Sequence, residues 1–149
     1  MKFQVRSLDQ GWAELWLSHG EQEGTIIASY LSDSPAELLA ALGRLIQGSR
    51  EERVIFEGEP GVIVMRLRRL AGNLARVEIS GGPSEDDDPH GQLWFRHTEP
   101  LPRFARRVYA EFKRLLDELG PAGYQKAWGL YSFPQRPFDE LGKLLSKQV

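Results

Sequence analysis

Between residues 53 and 98 the apolar side chains recur at every second position, in runs separated mostly by short, glycine-containing turns. A two-residue period turns one face of a strand to a core and the other to solvent. Connections this short favour hairpins over parallel crossovers, which need a dozen or more residues, so the segment reads as an antiparallel meander. Val54–Glu57 passes through Gly58-Glu59-Pro60-Gly61 into Val62–Arg69, and Gly72-Asn73 turns the chain into Leu74–Ser80. There Ala75, Val77 and Ile79 alternate with Arg76 and Glu78, and the loop Gly81–Gly91 leads on to Gln92–Thr98. The N-terminal part carries the same signature. Trp12–Ser18 alternates, the polar stretch 19–24 reads as a hairpin connection, and Thr25–Leu31 follows. A shorter strand reads at Lys2–Arg6.

Two longer segments switch to the helical period. Ser34 reads as an N-cap, with Pro35 at the first helical position and Glu37 placed as in a capping box. Leu38, Leu39, Leu42, Leu45 and Ile46 follow at helical spacing until Gly48. From Pro100 a second stripe runs through Leu101, Phe104, Ala105, Val108, Phe112, Leu115, Leu116 and Leu119, and Gly120-Pro121 ends it. A last short helix runs from Pro137 through Leu145. The expected fold is α+β: a largely antiparallel sheet of about six to seven strands in ββ-α-ββββ-α order, the short N-terminal strand extending the count. One helix follows the third strand, and a helical C-terminal third packs on the sheet. The 149 residues show no linker or repeat and read as one domain, with sheet and first helix over 2–98 and the helical segment over 100–149.

Several chemistries are excluded by what is missing. The chain has no cysteine, which removes disulfides, thiol nucleophiles and cysteine-held metals. Neither GxGxxG, GxxxxGK[ST] nor GxSxG occurs, and His19, His90 and His97 form no HxH or HExxH pair. No catalytic residue, cofactor or metal is therefore expected. The formal net charge of −2 gives no electrostatic case for nucleic acid. It is unevenly spread: residues 1–100 hold 10 basic against 16 acidic side chains, and residues 101–149 hold 9 against 5. No secretory signal or run long enough to span a bilayer is evident, so a cytoplasmic protein away from membranes is expected.

Two surfaces qualify as binding sites. If Leu15/Leu17, Met65/Leu67, Val77/Ile79 and Leu93/Phe95 face the core, alternation gathers Trp12, Trp16, Arg66, Arg68, Arg76, Trp94 and Arg96 on the opposite face. Tryptophan and arginine together suit a contact surface through stacking, cation–π attraction and charge. The competing expectation is that the aromatic C-terminal segment covers this face, with Glu14 and Glu78 satisfying the arginines. The second surface is the loop bearing Glu85, Asp86, Asp87, Asp88 and His90, a docking site for a basic partner or a solvated hairpin tip. It lacks the ligand alternation of a calcium loop.

The strings WAELWLS, TIIASYLSDSPAELLAAL, EGEPGVIVMRLRR and ARVEIS resemble a group of small, uncharacterised bacterial α+β proteins. The resemblance implies bacterial origin and an α+β fold, and brings no activity. By type, the absence of an active site alongside an acidic loop fits a protein-binding module such as an immunity protein. The partner would then be another protein, basic if the acidic loop is used, or a second copy of the chain. The other expectations are a small-molecule binder or hydrolase with a pocket between sheet and C-terminal segment, and a homo-oligomeric structural protein.

Overall fold

The N-terminal alternation becomes three strands, β1 (Lys2–Asp9), β2 (Trp12–His19) and β3 (Gln22–Ser29), paired antiparallel in that order. The computed structural model describes residues 1–59, 61–82 and 92–148. A helix, α1 (Ser34–Ile46), then carries the chain to a second antiparallel meander. Its strands are β4 (Glu51–Glu57), β5 (Val62–Leu70), β6 (Leu74–Gly82) and β7 (Gln92–Pro100), again in sequence order. The chain closes with α2 (Leu101–Trp128) and α3 (Gln135–Ser146). The fold is α+β with seven strands, divided into sheets of three and four because α1 intervenes and β3 does not join its ladder to β4.

Both sheets bury one face in the same core. Phe3, Val5, Leu15, Leu17 and Ile26 come from the first sheet, and Val54, Phe56, Met65, Leu67, Val77, Ile79 and Phe95 from the second. The leucines of α1, the apolar stripe of α2, and Tyr124, Trp128, Phe133 and Phe138 complete it. Each such side chain gains roughly 1.5–3 kcal/mol over exposure. The C-terminal aromatic residues thus enter the shared core instead of lying across an outer sheet face. β3 approaches the second sheet closely at Gly24, where a Cβ would stand 3.1 Å from Ile79 Cδ1 and 3.3 Å from Phe95 Cβ.

Two helix ends differ from the sequence expectation. The N-cap of α1 is Asp33, one residue before Ser34, whose hydroxyl is buried without a partner among the described residues. Asp33 is held from afar: the Trp128 indole N–H donates to its carboxylate at 3.1 Å. The Gly120-Pro121 break is present, with Gly120 at φ 68°, ψ 169°, but helical structure resumes and continues to Trp128. Proline fits the first turn of the resumed piece, where its missing N–H has no intrahelical acceptor.

Candidate functional site

Division into two sheets separates Trp12 and Trp16 from the arginines. Trp12 and Trp16 lie on β2 of the first sheet, whereas Arg66, Arg68, Arg76, Trp94 and Arg96 lie on the second. Trp16 is buried at 9% exposure, beneath the Arg6 guanidinium 4.0 Å from its ring. Trp12 remains exposed, its face flanked by Ile27. Trp94 leaves the arginine face through a register shift opposite Ile79/Ser80. Its ring stands over Gly81, where a Cβ would meet Trp94 Cζ2 at 2.5 Å. The same extra residue sets Leu93 opposite Ser80 and leaves it 43% exposed, so Leu93 and Phe95 do not share the core face.

The four arginines do come together, on the outer face of the second sheet, and a fifth joins them. β4 starts three residues earlier than the alternation suggested, which brings Arg53 directly opposite Arg66. On the next pair of strands Arg68 stands directly opposite Arg76. Like charges in direct register repel. Compensation is partial: Glu78 lies between Arg66 and Arg96 in the register and pairs with Arg96 at 3.3 Å. Arg66 donates to the Ser80 hydroxyl at 3.1 Å, and Arg68 reaches Glu51 only at 3.7 Å with both side chains about half exposed. Arg76 is half-buried, between Arg68 and Thr98, with no hydrogen bond or ion pair among the described residues.

The face thus carries Arg53, Arg66, Arg68, Arg76 and Arg96 against Glu51, Glu57 and Glu78, a positive surplus on a chain of net charge −2. No aromatic residue stands among them in the described part of the face. No family model, curated protein or solved structure matches the chain. Geometry alone therefore bears on its function.

The remaining predicted sites contribute less. Glu85, Asp86, Asp87, Asp88 and His90 lie outside the described residues, as does Pro60 of the expected turn. Among the described residues, no three His, Asp or Glu side chains gather where they could hold a metal ion, and no helix is long and apolar enough to cross a membrane. Between the first sheet and α2 the free space narrows to about 10 Å³, enclosed by Val5, Leu8, Leu15, Phe112 and Tyr124, about the room of a single water. A larger cleft of about 530 Å³ opens at the surface between Asp33/Glu37 and Arg53/Glu57, bordering the arginine face. Asp33 there is pushed above the ordinary aspartate pKa by burial, against the Trp128 hydrogen bond. Sequence reasoning missed a second cluster, His19 with His97 and Glu99; only the tertiary fold brings those residues together.

Proposed function

We propose that the chain is a non-enzymatic protein-binding module that docks an acidic partner on the outer face of its four-stranded sheet. Arg76 carries the reading: a half-buried cation with no anion of its own among the described residues, set against a second arginine. Such a group is stabilised when a carboxylate arrives, and arginine's planar fork suits that geometry. Arg66 and Arg68 stand two residues apart on β5, about 6.6–6.8 Å along a strand, which matches alternate carboxylates of an extended acidic segment. The absence of stacking aromatics from the described face favours a polypeptide over single-stranded nucleic acid. The near-filled space beneath the first sheet disfavours a buried small-molecule site there. A cysteine-free chain suits the cytoplasm, and an immunity protein that neutralises a bacterial toxin by surface complementarity is the specific form this reading takes.

The test is fluorescence anisotropy with labelled poly-L-glutamate and a single-stranded oligodeoxynucleotide of matched charge, at two salt concentrations. Poly-L-glutamate should bind more tightly, and Arg76→Glu should weaken it about tenfold or more, the equivalent of about 1.4 kcal/mol. An equal charge reversal off the face, Lys126→Glu, should have little effect. Preference for the oligonucleotide, or equal losses from both variants, defeats the proposal. Self-association that Arg76→Glu abolishes would assign the face to a second copy instead.

A further inference from the structure

β7 is an edge strand, paired with β6 on one side only, and the β2–β3 turn closes over its other side. The Gln22 side-chain oxygen accepts the backbone N–H of Arg96 at 3.1 Å, filling a position that an additional strand would occupy. Beside it the His19 imidazole stacks on that of His97, with centroids 3.8 Å apart and planes at 28°. Beneath the stack is Glu99, 5% exposed, whose carboxylate lies 3.2 Å from His97 Nε2 and accepts from Arg107 through both oxygens at 3.1 Å. The Met1 amino group stands 3.5 Å from the same carboxylate.

We propose that the His19–His97 stack is a proton-operated latch that holds the β2–β3 turn over the open edge of β7. Neutral imidazoles at this distance attract as stacked aromatic rings; two imidazoliums repel. Glu99 offsets charge on His97, but Arg107 and the Met1 amine already engage it, and the described contacts bring no carboxylate to His19. Burial, with His19 and the Met1 amine adding to it, holds the His97 pKa below the ordinary imidazole value against the pull of Glu99. His97 therefore resists protonation while the turn is docked and accepts it more readily once the turn has lifted. Acidification through the histidine range favours the lifted state, in which the Arg96 amide loses its cover.

Amide hydrogen exchange at Arg96 tests this, with protection factors measured between pH 7.5 and 5.0 and corrected for the intrinsic pH dependence of exchange. Protection should fall about fivefold or more on acidification, the effect of two unit charges about 4 Å apart even in water. Core amides such as those of Val77 and Ile79 should not follow. In His19→Gln, changed at the exposed end of β2, the repulsion is gone and the fall should shrink to the smaller part that burial of His97 alone produces. His97→Phe keeps a stacking ring without its charge, and there Arg96 protection should be independent of pH across that range. Unchanged Arg96 protection in the wild-type chain, or the same fall in His19→Gln, overturns the latch.

Discussion

The open side of β1 is closed by side chains of α2, and this contact yields a quantitative expectation. At the register shift beside Val5, the Val5 N–H donates to Glu111 Oε2 at 2.8 Å, and Arg114 donates to the Val5 carbonyl at 2.9 Å. Arg114 also pairs with Glu111 at 2.9 Å, so one turn of helix supplies the donor and acceptor that a further strand would have offered. Glu111→Ala removes a hydrogen bond to a charged acceptor, worth about 1.5–3 kcal/mol, and leaves the Val5 amide unsatisfied. The Arg114 side chain is 39% exposed and keeps Glu118, so the lost ion pair adds at most about 0.5 kcal/mol. The sum is about 1.5–3.5 kcal/mol, or a melting temperature lower by roughly 5–11 °C for a chain of this size. Glu111→Gln keeps an acceptor and should cost about half as much. Burial raises the Glu111 pKa, but Arg114 and the Val5 amide outweigh it and hold the carboxyl below its ordinary value of 4.5. Its contribution is therefore complete above that value and is lost as pH falls through the lower folded-state pKa. Urea unfolding followed by tryptophan fluorescence, repeated at pH 7 and pH 3, measures both effects. Glu111→Ala within about 0.5 kcal/mol of wild type, a glutamine as costly as alanine, or a gap that does not narrow in acid would each refute the argument.

Two other substitutions probe the core. Tyr124→Phe removes a buried hydroxyl that has no hydrogen-bond partner among the described residues and whose pKa burial pushes far up; its stability should match or exceed wild type by up to about 1 kcal/mol, and a clear loss in a thermal melt would show a hidden partner. Gly24→Ala crowds Ile79 and Phe95 where the two sheets meet, so it should cost about 1–3 kcal/mol by denaturant unfolding despite the backbone stiffening that alanine brings; a more stable variant would mean that the sheets separate there easily.

The legible part of the fold is the part set by local forces. Alternation located Met65/Leu67 and Val77/Ile79 on a buried face because period and pleat are properties of a single strand. It failed at Leu93 because one extra residue at a register shift reverses the parity of its neighbours along the strand, and nothing in GQLWF marks the insertion. Arg53 was missed for a related reason: the apolar run begins at Val54, while hydrogen bonding to β5 extends β4 back to Glu51. Asp33, in place of Ser34, begins α1 through its backbone carbonyl, and its carboxylate is taken up by Trp128, a contact across 95 residues. The tryptophan–arginine platform came apart for a topological reason. Alternation fixes the face of each strand, but whether two meanders share one ladder depends on where α1 leads the chain.

That division also bears on why the arginines are where they are. The helices and the first sheet meet the second sheet from its inner side, in one core, and the arginines stand on the opposite face. A solvent-facing sheet needs polar side chains, and any mixture of charges would keep it soluble. Stability alone would set glutamate opposite arginine at every step, as Glu78 does for Arg66 and Arg96. Instead the register sets Arg53 against Arg66 and Arg68 against Arg76, arrangements that cost stability on each occasion. Local rules are broken where a fold keeps something for a function. The proposed acidic partner would offset both violations, which lie on adjoining strand pairs, and would reach Arg76, a member of the second, which has no ion pair among the described residues.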